Sequence, residues 1–91
     1  MRYELIVADR YLKKLRKFVK KHPEVLSQYA KTIVLLENNL QHPSLKLHKL
    51  QGKLNDYYSI SINMNYRIIV DFIIKNNQII LIDIGAHDEV Y

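Results

Sequence analysis

The sequence predicts an α+β fold: an N-terminal strand, a helical hairpin, then antiparallel strands forming a four-stranded sheet with the helices on one face. Three observations predict it. Apolar residues recur at helical spacing over residues 9–41, the period falls to two from Tyr57 onward, and asparagine-rich turns divide the C-terminal part of the chain. The expected order is β-α-α-β-β-β in one domain spanning residues 1–91.

Each element has its own local reason. "RYELIV", residues 2–7, is short and rich in strand formers. Asp9 can then cap a helix. Leu12, Leu15 and Val19 form its apolar stripe with Tyr11 and Phe18 beside it, and lysines and arginines take the remaining surface. Pro23 ends this helix and can open the next, since its missing N–H is harmless in a first turn. Val25, Leu26, Tyr29, Ile33, Leu36 and Leu40 make the second stripe, which "NNLQHP" closes. A loop over residues 42–56 leads into "YYSISINM". There Tyr58, Ile60 and Ile62 alternate with Ser59, Ser61 and Asn63, the signature of a half-buried strand. Residues 63–65 make a turn. "YRIIVDFII" reads as a central strand. "KNNQ" supplies a second turn, because asparagine tolerates positive φ, and "IILIDI" is the last strand, broken by Gly85.

Composition narrows the function. The chain has no cysteine, which excludes disulfides and thiolate metal sites. No run of 18 apolar residues exists to cross a membrane, and the N-terminus has no signal-peptide pattern, so a cytoplasmic location is expected. The formal net charge is +5, unevenly spread: eight of the fourteen basic residues fall in the first 22, against only Glu4 and Asp9. "LKLHKLQGK" adds Lys46, Lys49 and Lys53 with no acid. That asymmetry suits a polyanionic partner such as RNA or DNA. A solvated lysine-rich helix face would give the same count.

Three groups stand against the core pattern. His48 sits among the loop lysines. Arg67 shares a strand face with Ile69 and Asp71, where a guanidinium is costly unless paired, so either an ion pair with Asp71 or Asp83 or a phosphate clamp is expected. His87 follows Gly85 in the terminal "GAHDEVY", with Asp88 or Glu89 to orient it and Tyr91 to stack on a base. His22 and His42 each precede a proline and read as helix-boundary residues. The four histidines have no metal-ligand spacing. Cleavage of RNA through the ribose 2′-OH needs a base, an acid and cations for the phosphate. Histidine, arginine and lysine supply those roles at neutral pH.

The segments "LKLHKLQGKLNDYYSISINMNYRIIV" and "LIDIGAHDEVY" carry a likeness to a known family. The chain resembles the RelE/ParE superfamily of bacterial type II toxins, in its RelE/StbE and YafQ-like branch. The shared marks are an H-x-L-x-G loop, an alternating strand, a strand start with arginine, and a terminal G-x-H-x-E-V-Y. The resemblance implies a ribosome-dependent, metal-independent endoribonuclease that cuts translated mRNA in the A site and is blocked by a cognate antitoxin. By position it implies catalytic roles for His87, Arg67 and His48, and substrate binding by Lys49, Lys53, Lys46 and Tyr91. No cofactor is implied. The chain departs from the YafQ pattern at Ser61 and Asn65, where neither residue is a useful base. The alternatives on the same fold are a non-enzymatic ParE-like gyrase inhibitor and an inactive homologue that only pairs with its antitoxin.

Overall fold

The first strand, β1 (Glu4–Val7), does not pair with its sequence neighbours. In the computed structural model, which describes residues 2–54, 56–73 and 76–86, it lies parallel to the last strand, β5 (Gln78–Ala86), with Leu5 opposite Ile79 and Ile6 opposite Ile80. Between them the chain forms α1 (Asp9–Lys21), a 3-10 turn (Pro23–Val25) and α2 (Leu26–Asn38). Then come a 3-10 turn (Pro43–Leu45), the two-residue strand β2 (His48–Lys49) and another 3-10 turn (Gly52–Leu54). Strands β3 (Tyr58–Ser61) and β4 (Tyr66–Ile73) complete the sheet. Its order is β1-β5-β4-β3-β2.

The sheet therefore has five strands rather than four. The added strand is β2, inside the expected loop, and it pairs antiparallel with β3 through His48–Ser59 and Lys49–Tyr58. Two residues cannot show a period, and backbone pairing alone recruits them. Helix α1 starts one residue differently from expectation. Ala8 is its N-cap, and Asp9 is the acid of the first turn, where it meets the positive end of the helix dipole. The expected apolar stripe of the second helix packs on the core at Val25, Tyr29, Ile33, Leu36 and Leu40 and departs from expectation only at its edge. Leu26 is half exposed, while Thr32 is buried, its hydroxyl donating to the Gln28 carbonyl at 2.8 Å. Gly85 does not break the last strand. It is buried inside β5, directly opposite Arg67. A glycine within a strand permits close packing as readily as a turn, and here its neighbours continue the ladder.

The core lies between the helices and one face of the sheet. Tyr11 and Phe18 of α1, Leu36 of α2 and Leu45 meet Ile60, Ile68, Val70, Ile79, Leu81 and Ile84. Strand β4 alternates without interruption, so Tyr66, Ile68, Val70 and Phe72 face this core and Arg67, Ile69 and Asp71 face away. On the far face a smaller cluster forms from Leu50 and Ile69 with Tyr57 and Ile82 packed against them. Strand β5 takes two steps, Leu81 to Asp83, where β4 takes one, Val70 to Ile69. This bulge has Ile82 as the extra residue, and such insertions re-aim the side chains beside them. Ile82 joins the far-face cluster, and Asp83 turns to α1, where its Oδ1 accepts from Lys14 Nζ at 2.6 Å.

The turns behave as their residues dictate. Asn63 Oδ1 accepts from the backbone N–H of Asn65 and of Tyr66, at 2.8 and 3.0 Å, closing the β3–β4 turn. Asn77 takes a φ of 51° just before β5. Gly52 has a φ of 73°, a conformation that explains why the loop motif ends in glycine.

Candidate active site

Arg67 is the centre of the site. It sits near the start of β4 between Ser61 of β3 and Gly85 of β5, both directly opposite it in register. Glycine offers no side chain and serine a small one, so the cross-strand positions beside Arg67 bring no acid to it. Its Nη1 is buried and finds no hydrogen-bond partner among the described residues. Neither expected ion pair forms. Asp83 is taken by Lys14, and Asp71 Oδ1 accepts from the Phe72 N–H at 2.8 Å. An arginine donor buried and unsatisfied is uncommon and costly.

His48 is brought to the same face. Directly opposed residues point the same way across a sheet, and His48 aligns with Ser59, which aligns with Ile69. Arg67 is two residues along β4 from Ile69 and two strands over from β2. From strand spacing and rise, the two backbones stand about 12 Å apart. The His48 ring is exposed, and its Nδ1 lies 2.9 Å from the Lys46 carbonyl oxygen. A carbonyl can only accept, so Nδ1 is the donor of this bond and Nε2 is the ring nitrogen left for another partner.

The lysines are distributed more widely. Lys49 aligns with Tyr58 and Val70, placing it on the helix side of the sheet. There it lines a cleft of about 520 Å³ with Tyr3, Leu47, Tyr58 and Phe72. Lys46 is exposed with a left-handed φ of 47°, and Lys53 is exposed in the Gly52–Leu54 turn. Neither side chain has a hydrogen bond or ion pair among the described residues. The structure thus gathers Arg67 and His48 on one face and leaves the lysines around the loop. His87 and Tyr91 lie outside the described residues, beyond Ala86 at the end of β5, the strand that flanks Arg67.

The boundary histidines fall where expected. His42 caps the Pro43–Leu45 turn, its Nδ1 accepting from the Ser44 N–H at 3.2 Å. His22 ends α1, and its Nδ1 lies 3.1 Å from the Tyr66 hydroxyl. Its ring packs against Tyr66 and Phe18, with centroids 4.6 and 5.1 Å away. Sequence reasoning missed this pairing because the two residues are 44 positions apart. Among the described residues no cluster of three metal-ligating side chains exists, and no helix is long and apolar enough to cross a membrane.

Known proteins resemble the chain in fold and in family. YafQ from Escherichia coli strain BL21(DE3) superposes with a TM-score of 0.79 at 15% identity, covering 98% of each chain. The toxin of the E. coli DinJ–YafQ toxin–antitoxin complex gives 0.78 at 18%, covering 100% of this chain and 99% of that one. A YoeB/ParE toxin from Agrobacterium tumefaciens gives 0.70 at 14%, covering 92% and 98%. No curated protein matches the chain by sequence. At these identities the superpositions establish the fold. The family rests on sequence: residues 6–87 match the family described as the RelE-like toxin of the type II toxin–antitoxin system HigB. The chain therefore belongs to the HigB-like branch of the RelE-type toxins.

Proposed function

We propose that this toxin is an endoribonuclease that cuts translated mRNA in the ribosomal A site. Arg67 binds the scissile phosphate, and the ribose 2′-OH attacks the adjacent phosphorus. The 2′-OH loses its proton to a histidine, the P–O5′ bond breaks, and a second side chain returns a proton to the leaving 5′-oxygen. Acid and base both come from side chains, so the step needs no metal. His48 and His87 are the candidates for these two proton transfers. Lys46 and Lys53 hold flanking phosphates and Tyr91 stacks on a base, while Lys49, expected to join them, lies on the helix side of the sheet away from Arg67. A cognate antitoxin binds and blocks the toxin; an antitoxin partner is supported by the DinJ–YafQ complex, formed by a toxin of this fold. The cell compartment that fits is the cytoplasm.

The observation that carries this reading is the buried Arg67 Nη1 without a partner. A fold seldom retains such a donor unless a ligand satisfies it. The His48 ring, with Nε2 left for another partner, supports it independently. A translation reaction with purified protein tests it, with mRNA 5′ ends mapped with and without ribosomes. Cuts confined to translated mRNA, and lost in Arg67→Ala, are expected. An absence of cuts from a folded protein, together with inhibition of gyrase supercoiling, would replace this reading with the ParE-like one.

A further inference from the structure

A second cationic site lies on the helix side of the sheet. Lys14, Lys17 and Lys21 follow one another at i, i+3 and i+7 on α1, so they share a face. With Phe18, His22, Ile84 and Gly85 they line a groove of about 320 Å³ between α1 and the end of β5. Lys14 is occupied by Asp83. Lys17 and Lys21 are exposed, and their side chains have no hydrogen bond or ion pair among the described residues. The other acid near the groove is Glu24, 3.7 Å from His22 Nδ1.

We infer that this groove binds the backbone of single-stranded RNA, as a site separate from the Arg67 face. One feature favours RNA over an acidic peptide, its position: Gly85 lines the groove and is also the register partner of Arg67, so the groove and the phosphate clamp meet at the same residue of β5. Lys17 and Lys21 line the groove while Phe18 beneath them is buried in the core, so the groove offers cations to backbone phosphates rather than rings to bases. The inference rests on the proposed function only for the choice of polyanion.

The test is the salt dependence of binding to a fluorescent 2′-O-methyl oligoribonucleotide, which lacks the nucleophile and cannot be cut. In a Lys17→Ser/Lys21→Ser double variant, the slope of log K against log salt should shrink by about 1.4, at about 0.7 for each phosphate that loses its lysine. A Lys13→Ser/Lys31→Ser double variant removes the same charge outside the groove and should keep the wild-type slope. An unchanged slope in the groove variant overturns the inference. So does an equal loss in the control, which would mean diffuse attraction. So does loss of polyglutamate binding by the groove variant with RNA binding intact, which would make the groove a peptide site. Because nothing is cleaved in this assay, its result stands apart from whether the protein is a nuclease.

Discussion

Lys14 and Arg67 are both cations beside β5, and they meet opposite fates. On the helix side, Lys14 reaches across the α1–β5 seam to Asp83, an acid aimed there by the Ile82 bulge. On the far side, Arg67 lies between Ser61 and Gly85 with a buried donor unmatched. The seam also pairs the Tyr11 and Tyr29 hydroxyls at 2.9 Å. On the far side, the acid on Arg67's own face, Asp71, is turned to its own backbone neighbour. The interior of the seam has consumed its polar groups in folding, whereas the interior of the far face has kept one. Polar groups satisfied internally stabilise the fold, and those left over are available to a ligand.

The largest effects should separate stability from activity across this divide. Ile68→Ala empties a fully buried position on the core side of β4, next to Arg67, and should cost about 2–5 kcal/mol by urea denaturation. Arg67→Ala should do the reverse: mRNA cleavage falls about 100- to 1000-fold, the size seen for one lost oxyanion donor, while stability stays within about 1 kcal/mol. An Arg67→Ala protein that unfolds would show the guanidinium to be structural and dissolve the contrast.

A middle-sized effect concerns the tyrosine pair. Burial pushes the Tyr11 hydroxyl far above its ordinary range, with Tyr29 and Asp83 adding to the shift. Burial also raises Tyr29, partly offset by the bond from Tyr11. Both groups stay protonated in the fold when the unfolded chain ionises near pH 10. Their contribution is therefore complete below about pH 10 and declines as pH rises toward the folded-state values. Tyr11→Phe should cost about 1 kcal/mol at neutral pH and flatten the loss of urea stability between pH 9 and 11. The smallest effect is Lys14→Ala. The pair is partly exposed, so water screens it and a loss under about 1 kcal/mol is expected, shrinking further in high salt. A larger loss would mean that the seam depends on this pair rather than on its core.

The stretches readable in sequence are those whose signal is local. Helical spacing from Tyr11 to Phe18 places α1, and the alternation of Tyr58, Ile60 and Ile62 with serines places β3. Asparagine chemistry places both hairpin turns, and the arginine of "NYRIIV" is visible as an anomaly against an apolar strand. The resemblance carried by the loop and terminal motifs gives the family. The misleading signals were equally local: Gly85 looks like a stop because glycine often ends a strand, and Leu26 looks buried because it continues a stripe.

Tertiary structure decided everything that depends on partners distant in the chain. The parallel seating of β1 against β5 joins residues over 70 positions apart. The recruitment of His48 and Lys49 as a fifth strand sends those neighbours to opposite sides of the sheet. The Ile82 bulge gives Asp83 to Lys14 rather than to Arg67. The sequence by itself determined the two helices, the four longer strands and the residue types that stand out from the core pattern, because periodicity and turn geometry act over a few residues. Which charges are neutralised and which remain for a ligand was settled only when the sheet closed, because register and burial are properties of the packed whole.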